Sequence, residues 1–327
     1  MSDKSYPYQS VLSPYIRDLI KEKRSLGFLY DSEAYELYRF DSYWKSHEKQ
    51  HTLITYEDIA PWLSSLPGEG RECHARRIQA VRTLTRYMNS LGIPCHVPLE
   101  YVKRKRSVIH ILSHNEISEL FYVIDTHRPF NPKNKTFLRM SKEYPLIYRM
   151  YYCCGMRNNE VCSLRTEDVN LAEGILTIRD GKNHKDRLVY MSEDLCILAS
   201  RYFVYLKNEL GFIPRWFFPG KYPDQHISKN HIDKKFGEFW EKTSSSKKCD
   251  KKPTPHCLRH TFVVERINRW ALEEKDLNVM LDYLSSYLGH RNPEESFYYY
   301  HLVDEAFKIT RAKDSMASDV IPEVKRS

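Results

Sequence analysis

Three consecutive tyrosines at positions 298–300, in the stretch Ser-Phe-Tyr-Tyr-Tyr-His, are candidates for covalent chemistry. A phenol can attack an electrophile, but its pKa of roughly 10 makes it a poor nucleophile at neutral pH. One of these tyrosines therefore needs groups elsewhere in the chain that activate it. The alternative is that all three rings simply pack in a core.

Cationic and imidazole side chains in the second half of the chain could activate a tyrosine. Arg157 follows a predicted helix end, and Lys182 lies in a polar turn beside a glycine. His256 and Arg259 are one helical turn apart on the same predicted face, and His290 ends a Leu-Gly-His turn. Each feature also has a structural explanation, such as a salt bridge, a solvated turn or a helix cap. Only their combination is informative.

The eight cysteines give no pattern typical of a metal site, since no Cys-x-x-Cys occurs. Cys249, His256 and Cys257 match no known zinc spacing. We therefore predict no metal site and expect the cysteines to be reduced and mostly buried, as in cytosolic proteins.

Composition favours a polyanionic partner only mildly. The 327 residues include 51 Lys plus Arg and 43 Asp plus Glu, which gives a net charge of +8. The N-terminal stretch MSDKSYPYQS lacks an apolar signal core, and no run of about 20 apolar residues occurs. These features predict a cytoplasmic protein without a membrane partner.

Hydrophobic periodicity predicts a mainly α-helical protein with one β-hairpin. Four helices are predicted within residues 9–100, one of them opened by Thr55. Ser113 and Glu116 form a predicted capping box at the start of a second helical block. Alternation on both sides of a polar turn in GILTIRDGKNHKDRLVYM predicts the hairpin, and helices resume near 193–210, 228–242 and from Thr254.

The length and a basic run suggest two domains joined by a linker. We predict a helical block over residues 1–100, a linker over 101–110, a second block over 111–312 and a C-terminal tail over 313–327. We expect no separate DNA-binding domain ahead of the first block.

Basic residues near the predicted linker are candidate phosphate contacts. The fourth helix carries arginines largely off its apolar stripe, and the linker carries a run of four cations. The predicted DNA-binding residues are Arg76, Arg77, Arg82, Arg86, Lys103, Arg104, Lys105 and Arg106. A solvated helix face and an exposed linker are the alternatives.

The order of these motifs resembles the tyrosine recombinases, also called the phage integrase family. GMRNNEVCSLRTEDVN is similar to the Gly-Leu-Arg, Glu, Leu, Asp pattern of that family, and DGKNHKDRLVYM is similar to its Gly-Lys hairpin. The resemblance covers about residues 110–312, whereas the N-terminal helices resemble the core-binding domain only loosely. It implies a two-domain, C-shaped clamp. The helical core-binding (SAM-like) domain that binds DNA would cover residues 1–100 and the mixed α/β catalytic domain residues 111–312, and the tail 313–327 would dock on a neighbouring subunit.

The resemblance also selects the nucleophile. In this family the nucleophilic tyrosine follows the Leu-Gly-His histidine by nine positions, which designates Tyr299 after His290. A second histidine often stands two residues beyond the nucleophile, and His301 completes that pattern. A slip of one residue, to Tyr298 or Tyr300, stays open.

The resemblance implies roles for the remaining residues in attack on a DNA phosphodiester. Arg157 and Arg259 would bind the non-bridging oxygens and stabilise the transition state. Lys182 would protonate the leaving 5′-oxygen, and His256 would take or return the tyrosine proton.

The other implied roles are supporting ones, and no cofactor is needed. His290 would donate a hydrogen bond to the phosphate, and Glu160 would support Arg157. Tyr299 would become a 3′-phosphotyrosine that stores the bond energy. Neither ATP nor a metal is then required.

The expected partners are double-stranded DNA and further copies of the chain. Family resemblance implies a tetramer on two DNA sites, with accessory or partner recombinases possible and a nucleoid-associated location. The long stretch from Arg259 to His290 hints at a recombinase of a mobile element. The alternatives are a type IB topoisomerase, a catalytically silent DNA-binding protein of this fold, and an unrelated helical enzyme.

Overall fold

A computed structural model describes residues 6–103, 109–179, 186–249, 251–290 and Tyr299. The chain divides into two compact units, Met1–Ser107 and Val108–Ser327. The division falls inside the basic segment 101–110. The predicted mainly helical architecture with a small sheet is confirmed.

The described part of the first unit, residues 6–103, contains four helices around one apolar core. They are α1 (Ser13–Ser25), α2 (Asp31–Ser46), α3 (Tyr56–Leu63) and α4 (Arg71–Ser90). Thr55 opens α3 as predicted, because its side chain and that of Asp58 form a capping box. Helix α4 packs against α1 and α2, and Phe40, Trp44 and Leu84 are fully buried between them.

The described part of the second unit contains seven further α-helices. They are α5 (His114–Asp125), α6 (Lys135–Cys154), α7 (Asn158–Cys162), α8 (Glu193–Leu210), α9 (Lys229–Trp240), α10 (Pro255–Leu272) and α11 (Leu277–Leu288). The predicted capping box of Ser113 and Glu116 starts α5. No helix in the described residues is long and apolar enough to cross a membrane.

A small antiparallel sheet lies in the second unit. Its strands are β1 (Val169–Asn170), β2 (Ile175–Ile178) and β3 (Arg187–Tyr190), in that order. Strands β2 and β3 form the predicted hairpin, with Ile178 opposite Arg187. Strand β1 was not predicted, and two residues are too few to give an alternating pattern. The turn between β2 and β3, with Lys182, lies outside the described residues.

Helix α6 is the centre of the second unit's core. It packs against α8 and α10, and its side chains Tyr148 and Tyr151 are fully buried. It ends at Gly155, whose φ of 60° lies in the left-handed region that favours glycine. A Cβ at this position would come within 2.6 Å of the Phe262 ring. This close approach brings the end of α6 against α10.

Candidate active site

Arg157 lies between two helix ends. It is the N-cap of α7, two residues beyond the left-handed Gly155 that ends α6. Its Nη1 donates to Glu160 Oε1 at 3.0 Å, and its Nη2 donates to the Gly289 carbonyl at 2.7 Å. Arg157 is therefore fixed between the start of α7 and the end of α11.

Arg259 lies beside the same helix ends but is more deeply buried, with only 2% of its surface exposed. Its Nη1 donates to the Gly155 carbonyl, and its Nη2 donates to the Leu288 carbonyl at 3.0 Å. Burial and the nearby Arg157 lower the pKa of Arg259 to about 9, so the guanidinium stays protonated at neutral pH. Two like charges in one site favour binding of an anion.

His290 completes this group from the end of α11. Arg259 Nη2 donates to His290 Nε2 at 3.2 Å. Because a guanidinium nitrogen can only donate, Nε2 is the acceptor of this bond and Nδ1 is the ring nitrogen that can donate. A guanidinium has five N–H donors, so Arg259 can hold its protein partners and still donate to a bound anion.

Glu160 is held by two arginines. It is 8% exposed, and beyond Arg157 it accepts from Arg187 Nη1 and Nη2, both at 2.8 Å. Burial by itself would raise the pKa of Glu160, but the bonds from Arg187 and Arg157 outweigh it and lower the pKa to about 2. Glu160 is therefore a fixed negative charge that orients both guanidinium groups.

Arg187 was not among the predicted site residues. It begins β3, and its Nε donates to the Tyr287 carbonyl on α11 at 2.7 Å. It therefore connects the hairpin to both α7 and α11. The available signal was a single arginine at the start of a strand five residues after Lys182, and such a residue is usually solvated.

Two histidines lie one helical turn apart on α10. The ring centroids of His256 and His260 are 4.3 Å apart with an interplanar angle of 77°. Desolvation by the surrounding protein, then Arg259 and Arg157, lower the pKa of His256 to about 4, although part of this residue is exposed. Burial, then His256 and Arg259, lower the pKa of His260 to about 3. Both rings are neutral at pH 7.

Tyr299 contacts the second of these histidines. Its hydroxyl lies 2.6 Å from His260 Nδ1, and the residue is only 6% exposed. Its ring belongs to an apolar cluster with Phe262, Val263 and Leu284 from α10 and α11. His260 was not among the predicted site residues, although its position four residues after His256 on one helix face was a signal that could have revealed it.

Several predicted residues lie outside the described part of the chain. They are Lys182, His301, Arg104, Lys105 and Arg106, together with Tyr298 and Tyr300. Their roles, and the choice of Tyr299 over its neighbours, stay predictions. Among the residues that the structure describes, no three His, Cys, Asp or Glu side chains are grouped as metal ligands.

The prediction for Arg77 needs correction, because its side chain is fully buried. It donates to the Glu69 carboxylate at 2.8 and 2.7 Å and to the carbonyls of Ser64 and Trp62. Its guanidinium carbon lies 5.0 Å from the centroid of a Trp62 ring. Arg77 therefore links α4 to the end of α3 and to the loop between these helices, and no face of it is available to a phosphate.

The other predicted DNA-binding residues differ in exposure. Arg82 is half-buried and donates to the carbonyls of Pro98 and Glu100 at 2.8 and 2.7 Å. Arg76, Arg86 and Lys103 are exposed. Their contacts with DNA stay predictions.

A known protein family matches most of the second unit in sequence. A family model described as the phage integrase family matches residues 110–306. A tyrosine recombinase of Thermosipho africanus is 27% identical over 268 residues, which are 79% of this chain and 83% of that protein. The tyrosine recombinase XerA of Saccharolobus solfataricus is 24% identical over 287 residues, 84% of each chain.

Solved structures with the same fold include two recombinases bound to DNA. A XerH site-specific recombinase in a pre-cleavage complex matches with a TM-score of 0.62 and 18% identity, over 93% of this chain and 84% of that one. The Tn1549 transposon integrase in complex with transposon right end DNA matches with a TM-score of 0.60 and 15% identity, over 93% and 98%. At these identities the likeness concerns the fold alone.

Proposed function

Because this chain belongs to the phage integrase family, the tyrosine recombinases, we propose that it breaks and rejoins DNA at specific sites through a 3′-phosphotyrosine intermediate. The observation that carries the proposal is the convergence of Arg157, Arg259 and Tyr299 on α10 and the ends of α6 and α11. These elements gather two guanidinium groups and a phenol paired with an imidazole.

The two guanidinium groups bind the scissile phosphodiester. Arg157 and Arg259 each present planar N–H donors, which match the non-bridging oxygens of a phosphate. Both are held by backbone carbonyls at the ends of α6 and α11, so little reorganisation is needed when charge builds up in the transition state. By family resemblance, His290 adds an N–H donor to the phosphate.

Tyr299 is the nucleophile of the proposed reaction. Its oxygen attacks the phosphorus while the bond to the 5′-oxygen breaks, and the covalent enzyme–DNA link keeps the bond energy. A 5′-hydroxyl can then reverse the step without ATP. By family resemblance, Lys182 on the β2–β3 hairpin protonates the leaving 5′-oxygen.

The proposed partners are double-stranded DNA and other copies of this chain. The XerH and Tn1549 structures are described as complexes with DNA, which supports a DNA partner. We further propose a tetramer that joins two DNA sites, with accessory proteins or a second recombinase in some reactions. We also propose that it acts on a mobile element, on the basis of the length of the stretch between Arg259 and His290.

A covalent-trapping experiment tests the chemistry. The full-length protein is incubated, with EDTA and without ATP, with DNA from the ends of its own element that carries a nick beside the scissile phosphate. We expect an SDS-stable adduct that peptide mass spectrometry maps to Tyr299. Tyr298→Phe and Tyr300→Phe are matched controls that keep the adduct, whereas Tyr299→Phe removes it.

The other outcomes are equally informative. An adduct on Tyr298 or Tyr300 would keep the reaction and correct the register. A gel shift with intact DNA and no adduct would point to a DNA-binding protein without catalysis. Joining of two differently labelled sites separates recombination from topoisomerase activity, which relaxes supercoils without exchanging partners.

A further inference from the structure

The hydroxyl of Tyr299, the proposed nucleophile, makes a short polar contact with His260. The distance of 2.6 Å between His260 Nδ1 and the tyrosine hydroxyl lies within the range for direct proton transfer. The two ring centroids are 5.5 Å apart with an interplanar angle of 39°. Because Tyr299 is 6% exposed, bulk water has little access to its hydroxyl.

His256 has different electrostatic neighbours from His260. The charges that act on His256 are those of Arg259 and Arg157, the proposed phosphate-binding groups, and that of Glu160. The groups that act on His260 are His256 and Arg259, and its Nδ1 also contacts the Tyr299 hydroxyl. Arg259 therefore acts on both histidines, and His260 is the imidazole that contacts the phenol.

On the proposed function, we infer that His260, rather than His256, accepts the proton of Tyr299 during attack and returns it on rejoining. As the oxygen–phosphorus bond forms and the bond to the 5′-oxygen breaks, the phenolic proton moves to His260 Nδ1 and creates an imidazolium. The leaving 5′-oxygen takes its proton from Lys182. In the reverse step the imidazolium returns its proton to the departing tyrosine oxygen.

The neutral state of His260 suits this role. Its pKa of about 3 leaves the Nδ1 lone pair free to accept a proton at any pH near neutrality. Such a low pKa also makes the free site a weak base. A bound phosphodiester adds a negative charge beside Arg259 and so offsets one cause of the lowered pKa. His260 should therefore become more basic when DNA is in place.

The experiment measures formation of the covalent adduct on two nicked substrates that differ at one atom. One has the natural 5′-oxygen, and the other has a bridging sulfur, which leaves as a thiolate and needs no proton. A variant that lacks the general acid, Lys182→Ala, should recover on the sulfur substrate. A variant that lacks the base should stay slow on both substrates.

We expect His260→Ala to slow adduct formation by about 10²- to 10⁴-fold on both substrates, with partial rescue by added imidazole. His256→Ala keeps the contact between His260 and Tyr299 and is the matched comparison. His260→Gln can still hydrogen-bond the phenol but is not basic, so it should be as slow as His260→Ala if proton transfer is the role. Gel shifts and thermal unfolding of each variant check that it folds and binds DNA.

Three results would overturn the assignment. One is full recovery of the rate of His260→Ala on the sulfur substrate. Another is a rate of His260→Ala that equals or exceeds the wild-type rate, which would mean that the contact only holds Tyr299 in an inactive position. The third is near-normal cleavage by His260→Gln. Absence of any adduct with the wild-type protein would instead refute the proposed function.

Discussion

Replacement of Arg187 tests whether the buried ion pairs around Glu160 hold the site together. Arg187→Met removes two charge-assisted hydrogen bonds from a carboxylate that is 8% exposed. Breaking a buried pair by removing one partner costs about 3–5 kcal/mol, because the remaining charge is left partly unpaired. Arg157 still contacts Glu160, so we expect the low end of this range.

The lowered pKa of Glu160 reflects the same interactions. The decrease from 4.5 to about 2 corresponds to about 3 kcal/mol of stability at neutral pH. Because the folded-state pKa is the lower one, this contribution is complete above pH 4.5 and is lost as the pH falls towards 2. Glu160→Gln should therefore remove that part of the acid sensitivity.

Thermal unfolding of the full-length protein at pH 7 is the assay. A loss of about 3 kcal/mol in the second unit should lower its Tm by roughly 6–12 °C. The matched control is Glu167→Gln, which breaks an exposed pair with Arg165 and should cost less than about 1 kcal/mol. The double variant Glu160→Gln, Arg187→Met should be less destabilised than the sum of the single variants.

A change in Tm for Arg187→Met no larger than that of the control would refute this reasoning. Strict additivity in the double variant would also refute it, since it would mean that Arg187 acts through other contacts. Cleavage by Arg187→Met, measured where the variant is folded, then tells whether the connection of the hairpin to α7 and α11 also positions Lys182.

Three further predictions concern phosphate contacts. Arg157→Ala and Arg259→Ala should lower the cleavage rate at least about 10²-fold while DNA still shifts on a gel, and loss of binding instead would assign them a structural role. Neutralising the four cations at positions 103–106 should weaken binding to all DNA sequences and flatten its salt dependence, whereas an unchanged slope would remove this segment from the DNA path. Arg77→Met should lower the free energy of unfolding by about 3–5 kcal/mol and leave the salt dependence of DNA binding unchanged. Arg86→Gln should lower the slope of that salt dependence by about 1 and leave stability unchanged. Unfolding and filter-binding measurements that gave the opposite pattern would contradict the burial of Arg77.

The sequence alone determined the local features of this protein. The capping boxes at Thr55 and Ser113, the end of α6 at Gly155 and the β2–β3 hairpin depend on residues a few positions apart. The family motifs are local in the same sense, because each is a short run on one element. Local propensity and spacing are therefore enough to predict them.

Tertiary structure decided which side chains meet. His260 contacts a tyrosine 39 residues away, Arg187 contacts a glutamate 27 residues away, and Arg157 contacts a carbonyl 132 residues away. Such pairings depend on how α6, α10, α11 and the hairpin pack, and no periodicity in one segment encodes them. Arg77 lies between these two cases. Its position four residues before the buried Val81 was visible in the sequence, but its partners come from the packing of α4 against the end of α3 and the loop that follows it.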